Sequence, residues 1–391
     1  MSQRTEIFLP TEIIIEIVSF IAADDPPRRS QVCLHACCLV SRQWYSASVG
    51  LLYAEPDFQQ ALTFEKFIAT VCPPIAAASK CKTRTRNLGL GLGSLVRTLD
   101  MSSLVHNSTK RVTARLLGRV KEYLEVFIAP MDSFSINSLA SLSKCYNLEE
   151  LDLSLVCSPL PFIRLKKAIR HLDKLEFLSL PTSTTILVEE LTDMPWPPRL
   201  RRLRFSGSFP KDSMESFSWP EQLSSLTLVF CNDLSVKSIS SLICSRHLGR
   251  LRHLGISYAN SFLQPESINA VPRFLPNLRT LIVPGDLLQD DFFNNLNGTP
   301  LSLEYLAIER GATFFPSLGF SERSLISALD YGLSNLRAVI FDPVYSKHTG
   351  SGIFNSINDA LKAQWKRRSP GEFASREFEI GAFLGDYSDV F

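Results

Sequence analysis

The chain has 391 residues, 45% of them hydrophobic and 20% charged, a balance that can bury a large core and excludes an intrinsically disordered chain. Lys and Arg total 41 against 39 Asp and Glu, so the net charge of +2 gives no whole-molecule field for a phosphate backbone, and nucleic acid is not an expected partner. The longest apolar run, Ile13 to Ala23, is broken by Glu16 and too short to span a bilayer, and no basic-then-apolar leader opens the chain; membrane insertion is not expected, and the cytoplasm, the nucleus or both are the expected location.

The first predicted element follows Leu9-Pro10-Thr11-Glu12. Ile13, Ile14, Ile17, Val18, Phe20 and Ile21 fall at helical spacing, with Pro10 and Glu12 suited to a first turn. Asp24-Asp25-Pro26-Pro27 breaks this helix. Ser30 then suits the N-cap of a second helix, whose apolar face runs through Cys33, Ala36, Cys37, Val40, Trp44 and Ala47. Two packed helices of this size are too small to be stable alone, so the pair needs something to cover it.

Leu9-Pro10-x-Glu12, the Ile-rich helix, Cys38-Leu39-Val40-Ser41-x-x-Trp44 and Leu52-Tyr53 together resemble an F-box, over about residues 7 to 54. The resemblance implies docking onto a Skp-type adaptor and, through it, onto a cullin-RING ubiquitin ligase. Carried over by position, it implies that Leu9, Pro10, Ile13, Ile14, Ile17, Leu39, Val40 and Trp44 form the adaptor contact. The sequence departs from the family in its spacer, Ala22 to Gln31, whose two prolines and two arginines predict a longer loop than usual.

A helical stretch from Asp57 to Val71 is predicted next, then Pro73-Pro74 and a basic run, Lys80 to Asn87, read as a mobile loop. Gly89-Leu90-Gly91-Leu92-Gly93-Ser94 is glycine-rich but follows no predicted strand and opens no helix, so it reads as a flexible linker rather than a phosphate cradle.

From Val96 a unit of the form L-x-x-L-x-L recurs. Its clear copies begin at Leu148, Leu175, Leu200, Leu223, Leu251, Leu278, Leu303 and Leu336, separated by 27, 25, 23, 28, 27, 25 and 33 residues. Copies beginning at Val96 and Leu124 extend the series to ten candidate repeats. The last two apolar positions alternate as in a strand, and amphipathic segments such as Ser235–Cys244, Asp286–Leu296 and Ser324–Leu333 read as outer helices. The predicted class is α/β: a helical F-box followed by a right-handed leucine-rich-repeat solenoid. The expected division is 1–54 F-box, 55–95 linker, 96–345 repeats and 346–391 cap, the cap holding a helix over Ile353–Trp365 and a solvated basic end, Lys366-Arg367-Arg368.

No chemistry-bearing motif accompanies this pattern. Nine cysteines, most of them in apolar segments, lack paired C-x-x-C spacing, and six dispersed histidines pair with no obvious nucleophile, so no catalytic residue, metal or cofactor is expected. Strand alternation predicts a concave face carrying Glu150, Asp152, Phe177, Ser179, Arg202, Arg204, His253, Thr280, Ile282, Tyr305 and Glu309. Of these, Glu150, Asp152, Phe177, Arg202, Arg204, His253 and Tyr305 are the expected contacts to a protein substrate. The chain resembles leucine-rich F-box proteins of the fungal type, which implies a non-catalytic substrate receptor of a ubiquitin ligase. The alternatives are a leucine-rich scaffold that buries its helical hairpin as an N-terminal cap, or an F-box protein acting outside degradation.

Overall fold

The computed structural model describes residues 9–23, 27–58, 61–73, 91–104, 109–187, 194–208, 217–231, 234, 239, 248–260, 263–269, 271–311, 318–348 and 351–385. The expected loop Lys80–Asn87 and nearly all of the expected helix Ser235–Cys244 lie outside them. The chain divides into two compact units, one of Met1–Leu160 with Arg164–Leu175, the other of Pro161–Ile163 with Glu176–Phe391.

The first unit opens with three helices, α1 (Thr11–Ala22), α2 (Pro27–Val40) and α3 (Arg42–Ala54), where the periodicity predicted two. The expected second helix breaks at Ser41, whose backbone is extended and whose hydroxyl accepts a hydrogen bond from the Trp44 N–H at 3.3 Å. A side chain that satisfies an orphan N–H starts a new helix and outweighs the continuing apolar period. Ser30, the expected cap, is instead buried inside α2, which starts at Pro27, so the expected long spacer is largely helical. Ile14, Val18 and Leu34 form the core of this segment, with Ile21, Trp44, Ala47 and Leu52 packed around it.

Helix α4 (Ala61–Val71) follows, with Phe64 and Phe67 edge-on to Phe58 at 5.2 and 5.1 Å. The glycine run is not a flexible linker where it is described: Leu92–Leu95 form a turn of 3-10 helix with Gly93 buried. A Cβ on Gly93 would lie 2.7 Å from the Arg119 carbonyl oxygen, so a close backbone approach accounts for that glycine. Three parallel strands complete the unit: β1 (Thr98–Asp100), β2 (Val126–Ile128) and β3 (Glu150–Asp152), with Leu99, Phe127 and Leu151 in register.

The second unit carries eight parallel strands, β4 (Phe177–Ser179), β5 (Arg202–Ser206), β6 (Ser225–Val229), β7 (His253–Ile256), β8 (Thr280–Pro284), β9 (Tyr305–Glu309), β10 (Ala338–Phe341) and β11 (Gly381–Leu384). All ten predicted copies become strands, and within the second unit the middle leucines align from strand to strand: Leu203 with Leu226, Leu226 with Leu254, Leu254 with Leu281. The repeating apolar positions are buried throughout, and helices such as Lys110–Val120, Ile136–Leu142 and Glu322–Tyr331 sit between strands. Thr109 and Ser321 cap two of them by accepting from the Val112 and Ser324 N–H groups. The fold class is thus the mixed α/β, solenoid-like one, helices first and parallel-strand repeats after. Beyond β10, helix Ser351–Arg368 covers the expected Ile353–Trp365, and β11 adds a strand that carries no leucine signature.

Candidate functional site

In the N-terminal segment, helical spacing sorts the adaptor-contact candidates into two sets. Ile14 is 1% exposed and belongs to the segment's own core, which corrects its expected place on an outer contact. The reason is a 3.6-residue period: Ile14 and Val18 share the inward stripe, while Ile13, Ile17 and Phe20 point outward and are exposed. Trp44 is half-buried against the same core. Leu39 and Val40, the last residues of α2, are 74% and 65% exposed. Pro10 is exposed, and Leu9 is 37% exposed. Gln43 ties these pieces together: its amide donates to the Leu9 carbonyl at 3.3 Å and to the Thr11 hydroxyl at 2.8 Å. That bond holds the start of α1 beside the α2–α3 junction, so the Leu9-Pro10 and Leu39-Val40 pairs lie at one end of the segment.

The sheet-face candidates fall into both compact units. Glu150 and Asp152 lie half-buried on β3, and Asp152 spends one carboxylate oxygen on the Ser154 N–H at 2.8 Å, closing a turn. On β4 and β5 the Arg202 guanidinium lies 5.1 Å from the centre of the Phe177 ring, and Arg204 is exposed. His253 on β7 shares a 3.0 Å hydrogen bond with the Thr280 hydroxyl. Burial, and then the neighbouring Arg252 and Arg279, hold its pKa below the ordinary imidazole value. Tyr305 packs against a cluster of Ile282, Ala307, Ala338 and Ile340. Ser179, Thr280, Ile282 and Glu309 were expected on the open face but are buried. Strands about 4.8 Å apart let one strand's large side chain cover the next strand's small one, and Glu309 is drawn in to accept from the Tyr258 N–H at 3.1 Å.

Sequence reasoning missed a third arrangement, carried by the residue after the first leucine of each copy. In β-register this position offers its carbonyl to two N–H groups of the next repeat: Arg201 to Ser224 and Ser225, Ser224 to Arg252 and His253, Arg252 to Arg279 and Thr280, Arg279 to Glu304 and Tyr305. The repeated bond fixes these side chains in a column at the start of the strands. In the second unit the column reads Glu176, Arg201, Ser224, Arg252, Arg279, Glu304, Arg337. Its later part is self-neutralised, because Glu304 meets Arg279 at 3.4 Å and Arg337 at 3.8 Å, and Arg337 meets Glu372 at 3.1 Å. Among the described residues no carboxylate pairs with Arg201 or Arg252, nor with Arg250, which joins them in an open groove of about 500 Å³. The signal lay in the sequence, in the residues next to the leucines rather than at alternate strand positions.

Cys145 and Cys231 are buried, and burial pushes both thiols up to about 12, far from a reactive thiolate. Among the described residues no three His, Cys, Asp or Glu side chains gather as metal ligands, and no helix is long and apolar enough to cross a membrane.

No family model matches the chain. It is 32% identical over 243 residues to "F-box protein YDR306C" of Saccharomyces cerevisiae, an alignment covering 62% of this chain and 48% of that protein. It is 25% identical over 244 residues to "Protein pof5" of Schizosaccharomyces pombe, covering 62% of this chain and 69% of that one. The chain therefore spans about half the length of its Saccharomyces relative. Among solved structures it is similar to a chain in the crystal structure of the Rad7 and Elc1 complex in yeast, with 15% identity, a TM-score of 0.48 and coverage of 99% and 100%. The printed name of the Saccharomyces relative is that of an F-box protein, the family that residues 7 to 54 of this chain resemble.

Proposed function

We propose that this chain is a non-catalytic receptor whose N-terminal helices hold a Skp-type adaptor of a cullin-RING ubiquitin ligase and whose repeats hold a protein substrate, in the cytoplasm, the nucleus or both. The observation that carries the reading is the exposure of Leu39 and Val40 beside Leu9 and Pro10, at one end of a segment whose own core is already filled by Ile14, Val18 and Leu34. Fully covering a side chain such as Leu or Val is worth about 1.5–3 kcal/mol, so a partner seated there gains several such increments. The name of the Saccharomyces relative supports the same reading. In such a receptor the chain contributes effective concentration: a substrate held on the repeats is kept near the transferring subunits, and bond-making belongs to those subunits.

Co-purification with a Skp-type adaptor tests this. The full chain is expected to form a stoichiometric complex, and a Leu39→Asp, Val40→Asp double variant is expected to lose it while keeping its thermal unfolding midpoint, because both side chains already face water. A complex that survives the double variant, or no complex from well-folded full-length protein, would overturn the proposal.

A further inference from the structure

The groove at the strand starts of β5 to β8 has no role in the adaptor reading, and its chemistry is specific. Four successive column positions hold Arg201, Ser224, Arg252 and Arg279, and Arg250 and Asn277 line the groove beside them. Asn277 donates to the Gly249 carbonyl at 3.4 Å and the Ser224 hydroxyl donates to the Arg201 carbonyl at 3.3 Å, so the polar floor is held by the backbone itself. Of the four arginines only Arg279 has a carboxylate partner among the described residues, Glu304 at 3.4 Å.

We infer that this groove binds a short acidic segment of a protein, laid across the starts of β5 to β8 with its carboxylates on Arg201, Arg250, Arg252 and Arg279. Guanidinium forks match carboxylates in two-point hydrogen bonds, and four of them in one groove supply the charge complementarity that an acidic peptide needs. The groove is open rather than enclosed, and its charges lie on a strand pitch of about 4.8 Å, spanning about 14 Å, or about four extended residues. Both features suit an extended chain better than a single small anion. Glu176 precedes Arg201 in the column, so a longer polyanion such as a nucleic acid would meet like charge at that end, and the lining residues include no aromatic platform for its bases. The inference deepens the proposed function, since it names the chemistry of the substrate segment, and it rests on that reading for whose segment it is.

The test uses the full chain, a short fluorescent oligo-glutamate peptide as probe, and neutral oligo-glutamine and single-stranded oligonucleotide probes of equal length. Fluorescence anisotropy is expected to show salt-sensitive binding of the glutamate probe and weaker binding of the other two. An Arg201→Ala, Arg252→Ala variant is expected to lose about tenfold or more in affinity. A Lys110→Ala, Arg111→Ala variant, which removes exposed cations elsewhere, is expected to match the parent chain. Equal affinity in parent and double variant, or an oligonucleotide that binds more tightly than the peptide, would overturn the inference. Adaptor co-purification run on the same proteins separates the two claims. A double variant that loses the peptide but keeps the adaptor supports the groove, and peptide binding by a chain that holds no adaptor keeps the groove while removing the ligase reading.

Discussion

The helical segment at the start of the chain and the strand repeats treat apolar side chains in opposite ways. In the repeats nearly every consensus leucine is buried: Leu151, Leu178, Leu226, Leu281 and Leu306 each stand at 0% exposure. In the first helices, Leu39 and Val40 remain more than half exposed although Ile14 and Val18 show that a core is available. The difference teaches how each region is completed. A repeat strand has a neighbour on either side to cover its apolar face, whereas three short helices fill one small core and leave Leu39 and Val40 in water.

The largest expected effect probes the repeat side. Leu226→Ala should cost about 3–5 kcal/mol, because the side chain is fully enclosed and leaves a cavity that flanking strands cannot close. A urea unfolding midpoint that hardly moves would show that the repeat core relaxes far more than its packing implies.

Two adjacent residues sharpen the contrast within α1. Ile14→Ala should cost about 2–4 kcal/mol, and Ile13→Ala less than about 0.5 kcal/mol, while adaptor co-purification should respond in the reverse order. Equal losses of stability would mean that Ile13 is covered within its own chain. A smaller effect, about 1 kcal/mol, is expected for Ser41→Ala, which removes the hydroxyl that starts α3. Circular dichroism melts would read it, and an unchanged melt would assign the break between α2 and α3 to packing alone.

The smallest effect concerns pH. Because the folded-state pKa of His253 lies below its ordinary value, the folded protein binds fewer protons there than the unfolded chain. The neutral ring's contribution is fully present above the ordinary imidazole range and is lost as pH falls through that range toward the folded value. Urea midpoints measured from about pH 7 to about pH 5 should fall more steeply for the parent than for His253→Gln. An Arg252→Ala variant should show a shallower decline than the parent, since it removes one positive neighbour.

By itself the sequence determined the register of the repeats. Each L-x-x-L-x-L marks a strand because only alternate side chains can enter a core one strand deep, and that rule is local enough to read from a single chain. It also determined the amphipathic α1, since a 3.6-residue period needs no partner to be recognised. Tertiary structure decided what the same patterns left open. The period ran unbroken through Ser41 and could not show that a side-chain cap divides the second helix, and Ile380-Gly381-Ala382 gave no sign of β11, whose pairing with β10 supplies the reason for that strand. Alternation placed Thr280, Ile282 and Glu309 on an open face, and contacts from adjacent strands buried them. The arginine groove followed the same logic: Arg201, Arg252 and Arg279 are distant in sequence, and only the parallel ladder, repeating one carbonyl bond from strand to strand, sets their charges side by side.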